Sequence, residues 1–147
     1  MRLSIALAFA LTAMPALAGP ASEVVRPFYE TPGAEREPEY RDRFVDPAKS
    51  VFDANDKATE LCLDFVISID AQDWDEAELK RTLKLEEEIV GEDATVTASF
   101  NLFPGGGAES ERIIIWTLKQ VGGQWKVSDV MSDGSNWRLG EFDCSAE

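Results

Sequence analysis

Residues 94–102 read ATVTASFNL, a run in which apolar and polar side chains alternate strictly. The apolar residues occupy the even positions, and threonine, serine and asparagine occupy the odd ones. Because successive side chains of a β-strand point to opposite faces, this pattern predicts a strand with one buried and one solvated face. Such a strand belongs in an antiparallel sheet that is covered on one side.

Further strand patterns flank this segment with only turn-sized gaps between them. Upstream, Leu83, Leu85 and Ile89 share one face of a strand that ends at the turn Gly91–Asp93. Downstream, residues 113–118 are apolar on both faces and predict a central strand covered on both sides. A strand of that kind also permits a sheet-to-sheet homodimer.

A glycine pair at positions 122 and 123 predicts the next hairpin turn, because glycine readily adopts positive φ. In the strand that follows, Trp125, Val127 and Met131 are predicted to share one face. Four strand patterns in succession predict a curved four-stranded antiparallel meander.

The part of the chain before the meander has helical patterns. Val24, Val25 and Phe28 recur at helical spacing, with Ser22 as the predicted N-cap. A second helix is predicted with Asp46 as N-cap and Pro47 in its first position. N-terminal helices packed on a curved sheet define an α+β fold. The intervening segment 31–43 is rich in proline, glycine and charge, so it is predicted to be a surface linker, and the role of residues 31–45 stays open.

Residues 1–18 have the pattern of a signal peptide. A basic residue, Arg2, precedes an apolar run, and Ala16-Leu17-Ala18 offers small residues for cleavage. The run is shorter than the roughly 20 apolar residues of a transmembrane helix. The pattern predicts export to the periplasm or the medium, with residues 19–147 as one domain without a membrane anchor after cleavage.

Cysteine content and charge narrow the chemistry. Cys62 and Cys144 are the two cysteines, and in an exported chain they predict a disulfide. The chain contains no histidine, so we expect neither a metal site nor a cofactor. A formal net charge of −14 disfavours nucleic acid as a partner. The expected partner is an unknown protein or a small apolar molecule, bound at the opening of the predicted cone.

Several short motifs, taken in order, resemble the bacterial domain of unknown function 3828. The motifs are Phe28-Tyr29, Leu63-Asp64-Phe65, Ala71-Gln72-Asp73-Trp74, Ala94-x-Val96-x-Ala98-x-Phe100 and Gly123-x-Trp125-x-Val127-x-Asp129-Val130. That family is similar in fold to the nuclear-transport-factor-two-like superfamily, a cone of curved sheet and helices. The resemblance implies a small exported protein but brings no activity or catalytic residues. The segment between Thr31 and Asp46 and the triple glycine 105–107 lie outside the family pattern.

Two acids are the candidates for acid–base chemistry. Glu87 falls between Leu85 and Ile89 on the apolar face of its strand, and Asp129 lies in the last predicted strand. A desolvated carboxyl group can hold or abstract a proton near neutral pH, which is how a lyase or isomerase would use either acid. The alternative is that both carboxylates accept backbone hydrogen bonds at turns and strand ends.

Gln72, Asp73, Trp74 and Asp129 are the candidates for binding a ligand or partner at the opening of the predicted cone. The first three join the helices to the sheet, where their polar groups either fix the crossing or line a pocket. The leading hypothesis is a non-enzymatic binding or interaction domain. A carboxylate-dependent lyase or isomerase and an inhibitor or immunity-type protein against a secreted protein remain the alternatives.

Overall fold

The structure is a computed structural model, and it describes residues 19–145. The predicted signal peptide, residues 1–18, lies outside the described residues. The helices of the described part are α1 Pro20–Val25, α2 Pro27–Glu30, α3 Ala48–Asn55, α4 Glu76–Thr82 and α5 Gly107–Ser110. The strands are β1 Lys84–Val90, β2 Asp93–Asn101, β3 Glu111–Val121, β4 Gln124–Ser132 and β5 Trp137–Arg138. Short 3-10 helices span Ala34–Arg36, Pro38–Arg43 and Leu139–Glu141.

The sheet is an antiparallel meander in the order β1-β2-β3-β4-β5. This confirms the predicted α+β class and the succession of hairpins, but the prediction of four strands was wrong by one. The two-residue strand β5 pairs with Met131 and Ser132 of β4. It is too short to produce an alternating pattern, so periodicity could not predict it.

Strand β2 has the two faces that its alternation predicts. Ala94, Val96, Ala98 and Phe100 are buried against the helices, whereas the threonines and serine between them are half-exposed. In β3 the side chains of Ile114, Trp116 and Leu118 are fully buried, but Ile113 and Ile115 are only half-buried. Within residues 19–145, the second face of the predicted central strand is therefore only partly covered.

A β-bulge corrects the predicted face of β4. Thr117 pairs with Asp129 while Leu118 pairs with Val127, so Ser128 is the extra residue. An extra residue reverses the alternation beyond it. Val130 is therefore the buried side chain that follows Val127, and Met131 lies on the other face, in contact with Arg138.

The first helical pattern forms two short helices rather than one. α1 begins at Pro20 with Gly19 as N-cap, so Ser22 lies inside the first turn. The prediction that Ser22 is the N-cap was therefore wrong. Pro27 begins α2, because a proline cannot donate the backbone hydrogen bond that would continue α1. The next helix, α3, begins at Ala48, and the Asp46 carboxylate still accepts the backbone N–H of Ser50 at 3.2 Å.

The segment 31–43 is not the surface linker that its composition predicts. It contains two 3-10 helices, and the side chains of Ala34 and Glu35 are buried. Phe44 follows as a fully packed core residue, and the N–H of Val45 donates to the carbonyl of Val127 at 2.8 Å. The segment therefore covers the outer edge of β4.

Aromatic rings fill the space between the helices and the sheet. Phe28 of α2 stacks on Trp116 of β3 with ring centroids 5.3 Å apart. Phe44 lies 5.5 Å from Phe28 and 5.0 Å from Phe52 of α3. Within the described residues, this stack packs α2 and α3 against the centre of the sheet.

The predicted disulfide joins Cys62 to Cys144 across 82 residues, with the two Cα atoms 5.4 Å apart. It fixes the C-terminal segment to the loop that follows α3. Phe65, Trp137 and Phe142 cluster beside it, with centroid distances between 5.2 and 6.2 Å.

Candidate functional site

Asp70 lies at the centre of the most densely bonded polar cluster outside the core. It ends a compact turn in which the N–H of Asp70 donates to the carbonyl of Val66 at 2.8 Å and Val66 pairs with Ala71. The backbone of Asp70 is left-handed, with φ of 56°. Aspartate tolerates that conformation better than most residues, because its short side chain can form local hydrogen bonds.

The Asp70 carboxylate gathers donors from distant parts of the chain. Its Oδ1 accepts the indole N–H of Trp137 at 2.7 Å, and its Oδ2 accepts the hydroxyl of Ser132 at 2.7 Å and that of Ser135. The guanidinium of Arg112 lies 3.7 Å from Oδ2, and the Asp70 side chain is only 7% exposed. With its acceptor sites occupied in this way, the carboxylate connects the turn 66–71 to β3 and to the β4–β5 connection.

Arg112 extends this cluster to the β2–β3 connection. Its Nη1 donates to the backbone carbonyls of Glu109 and Glu111 at 2.9 Å, and its Nε donates to the carbonyl of Asp70 at 3.3 Å. Three connections, 66–75, 102–110 and 133–136, therefore meet at one end of the sheet. We call this end, defined by those three connections, the Asp70 end.

Three of the predicted binding residues lie in the first of these connections. Gln72 is exposed and donates to the carbonyl of Asp64 at 3.1 Å. Asp73 is exposed and accepts the N–H of Trp74 at 3.0 Å, while the Trp74 ring is half-buried against the core. Each polar group thus stabilises the local turn, and Gln72 and Asp73 also present surface at the Asp70 end.

The fourth candidate, Asp129, lies in β4 at the bulge. Its Oδ1 accepts the N–H groups of Val130 and Gly140 at 2.9 Å, and its Oδ2 accepts Arg138 at 3.0 Å. A side chain at Gly140 would come within 2.7 Å of Pro47 and 3.3 Å of the Asp129 carboxylate. Asp129 therefore fastens the last 3-10 helix against β4 and α3 and does not join Gln72, Asp73 and Trp74.

Glu87 lies in β1, at the opposite edge of the sheet, next to the start of α1. Its Oε2 accepts the backbone N–H of Ser22 at 2.8 Å and the Ser22 hydroxyl at 3.0 Å. A carboxylate there accepts a free N–H of the first turn and is stabilised by the positive end of the helix dipole. Since β2 and β3 lie between the strands that carry them, Glu87 and Asp129 do not form a carboxylate pair.

Glu35 is a fully buried acid that the sequence patterns missed. Its carboxylate is completely buried and accepts the N–H of Ser68 at 3.0 Å and the Ser68 hydroxyl at 3.2 Å. Burial raises the pKa of Glu35, although the hydrogen bonds from Ser68 oppose the shift.

Nearby, Tyr29 accepts the indole N–H of Trp116 at 2.9 Å. Burial raises the pKa of the Tyr29 phenol well above its usual range, with a smaller contribution in the same direction from Glu35. Both groups belong to the packed interior, where a neutral acid and a neutral phenol are favoured.

No short-range pattern distinguishes these interior acids in the sequence. Glu35 stands in a segment rich in proline and charge, and the hydrogen-bond donors to the Asp70 carboxylate come more than 60 residues later. Within residues 19–145, no three acidic or cysteine side chains are arranged to hold a metal ion. In the same range, no helix is both long enough and apolar enough to cross a membrane.

Comparisons with known proteins identify one structural likeness. No family model matches the chain, and no curated protein matches it. A chain in the crystal structure of the type VI native effector–immunity complex Tae3-Tai3 from Ralstonia pickettii is similar in fold, with a TM-score of 0.53. The match covers 80% of this chain and 97% of that one at 14% identity, so it establishes a shared fold.

Proposed function

We propose that this protein is an exported binding protein that recognises another protein, in the manner of an inhibitor or immunity protein against a secreted protein. The Ralstonia pickettii structure with the similar fold is a complex of an effector with an immunity protein, which supports a partner of this class. The strong excess of acidic residues, with a net charge of −14, favours a basic protein as that partner.

The state of the candidate carboxylates is the observation that carries this proposal. Asp70, Glu87 and Asp129 each accept hydrogen bonds that hold one element of the fold to another. A general base must be free to take a proton from a substrate, so these bonds count against the lyase or isomerase alternative. Exposed acids remain available for a partner, including Glu86, Glu88, Glu92 and Asp93 on the β1–β2 hairpin.

A periplasmic location is part of the proposal. The Cys62–Cys144 pair is of the kind that persists in an oxidising compartment, and the predicted leader 1–18 would direct the chain there. Membership of the domain of unknown function 3828 and of the nuclear-transport-factor-two-like superfamily likewise stays our proposal. The Gly123-to-Val130 motif of that resemblance falls on the β3–β4 hairpin and its bulge.

Protection against a toxic partner is the decisive test. The oxidised protein, immobilised, would capture its partner, and the gene for that partner would then be expressed in the periplasm of a test bacterium. We expect growth to stop unless the full-length chain is co-expressed. A chain lacking residues 1–18 would stay in the cytoplasm and should give no protection.

Two results would contradict the proposal. One is a captured partner whose expression does not affect growth with or without this protein. The other is protection that is undiminished when residues 1–18 are removed, because that would place the interaction in the cytoplasm.

A further inference from the structure

We propose that the free edge of β1, Lys84–Val90, is the docking site for an extended, lysine- or arginine-rich segment of the partner, which adds a strand to the sheet. This inference rests on the proposed function, since it names the surface and the chemistry through which a protein partner is recognised. The mode of binding is strand addition, in which main-chain hydrogen bonds supply affinity and side chains supply specificity.

The two edges of the sheet are treated differently by the fold. The edge formed by β4 is covered, because Val45 bonds to Val127 and β5 pairs with Met131 and Ser132. Strand β1 is at one end of the strand order and pairs with β2 along its whole length. No other strand of residues 19–145 pairs with its outer side, and five of its seven residues are exposed. An exposed edge of this length is a template for another strand.

Charge selects the occupant of this edge. Glu86 and Glu88 are exposed and lie on the same face of β1, two residues apart. Neither glutamate forms an ion pair within residues 19–145. Lys84 is exposed on the same face, so this face carries two acids and one base. A second copy of β1 paired antiparallel around Glu87 would place the glutamates opposite each other, and like charges in that position repel. A strand with lysine or arginine at the matching positions would be attracted instead.

The opposite face of the strand adds an apolar requirement. Leu85 and Ile89 lie on that face, and Ile89 is 43% exposed although it is a large aliphatic residue. Glu87 lies between them, but its carboxylate is already bonded to Ser22. Val90, at the end of the strand, is 69% exposed. The matching partner segment therefore alternates basic and aliphatic residues.

A synthetic peptide of the length of β1, in which lysine and valine alternate, is the probe. We expect it to bind the oxidised full-length protein in a calorimetric titration and to slow amide exchange in β1. Glu86→Lys combined with Glu88→Lys should weaken binding at least about tenfold, because attraction turns into repulsion at two cross-strand positions. Glu109→Lys combined with Asp133→Lys changes the net charge equally at the Asp70 end and should leave the affinity unchanged.

Other outcomes would overturn the inference. Equal losses in both double variants would mean that the peptide responds to overall charge, and slowed exchange at residues 72–74 would place the docking surface at the Asp70 end. Failure of the peptide to bind, or concentration-dependent dimers through β1 in light scattering, would also reject it. None of these results affects the protection experiment, so the edge can be rejected while the proposed function stands.

Discussion

Replacing Asp70 by alanine is expected to lower the free energy of unfolding by about 4 kcal/mol. The hydrogen bonds from Trp137 and Ser132 go to a carboxylate that is 7% exposed. A hydrogen bond to a charged group contributes about 1.5 to 3 kcal/mol, so at the lower end two bonds amount to about 3 kcal/mol. Alanine at a φ of 56° adds up to about 1 kcal/mol, because it lacks the short polar side chain that makes aspartate more tolerant of the left-handed region.

Two further bonds contribute less to this estimate. Ser135 is exposed, so its hydroxyl can bond to water when the carboxylate is absent. Arg112 keeps its bonds to the carbonyls of Glu109 and Glu111. Asp70→Asn retains the size of the side chain and its tolerance of positive φ but turns an NH₂ group towards donors. We expect that variant to lose about 1 to 2 kcal/mol.

Urea unfolding of the oxidised protein, followed by far-ultraviolet circular dichroism and by tryptophan fluorescence, measures these differences. Asp73→Ala is the matched control, because Asp73 is exposed and bonds only to the adjacent N–H of Trp74. We expect the control to stay within about 0.5 kcal/mol of the wild type, as surface substitutions usually do.

The ranking of the three variants decides whether Asp70 holds the loops together. If Asp70→Ala were no more destabilising than Asp73→Ala, the carboxylate would not be the centre that the hydrogen bonds indicate. An Asp70→Asn variant as unstable as the alanine variant would show that charge alone matters, and the backbone argument would then be rejected.

Three other substitutions test the remaining acids and the disulfide. Glu35→Gln should gain stability relative to the wild type as the pH rises from 5 to 8. Burial raises the pKa of Glu35 in the folded state, so the stability that its protonated form contributes is fully present below pH 4.5 and is lost as the pH rises through the folded pKa. Parallel pH profiles of the two proteins would contradict this. Glu87→Gln should cost about 1 kcal/mol and speed amide exchange in α1, whereas Glu86→Gln should change neither. Cys62→Ala with Cys144→Ala should lower the free energy of unfolding by about 4 to 5 kcal/mol in the chain-entropy model, and a loss below about 1 kcal/mol would show that the C-terminal segment is held by packing.

The meander could be predicted because its signals are local. The alternation in β2 and the glycines at the hairpin turns are signals within a few adjacent residues. The disulfide could be predicted as well, because two cysteines allow only one pairing. Gly122 and Gly123, for example, adopt φ of 59° and 78° in the predicted turn. Two adjacent glycines are thus enough to predict the positive φ angles that this turn needs.

Helix α4 was not predicted, although its signal is present in the sequence. Asp75 is the N-cap and accepts the N–H of Glu78 at 2.7 Å, while Lys80 and Arg81 occupy the last turn. That order of acid, then base, is the pattern of a capped helix aligned with its dipole. The helix has only seven residues, and its buried positions are Glu78 and Leu79, so it lacks an apolar stripe.

The buried polar groups could not be predicted, because their partners are distant in the chain. Glu35 bonds to Ser68, and the donors to Asp70 come from β3, β4, β5 and the connection between the last two strands. A proline-rich, charged segment normally lies at the surface, so composition alone places Glu35 outside. Only the packing of the 3-10 helices over the sheet brings it inside.

Asp129 shows how the bulge changes the meaning of a sequence pattern. If β4 continued without a bulge, alternation would place Asp129 on the same face as Val127, among the apolar side chains of the core. The bulge instead places Val130 in the core and directs Asp129 to Gly140 and Arg138. Its carboxylate is then occupied in holding the C-terminal segment.

The acidic residues fall into two groups, those that bond to other elements of the fold and those that are exposed without an ion pair. Asp70, Glu87 and Asp129 are bonded to groups that the fold must satisfy, and removing any of them affects the position of an element. Glu86 and Glu88 are exposed and form no ion pair within the described residues, so no ionic contact there accounts for their position. Paired antiparallel around Glu87, a second copy of the strand would place these like charges opposite each other, and they would repel it. Their placement is therefore best explained by the partner that the edge must exclude and by the basic one that it can accept.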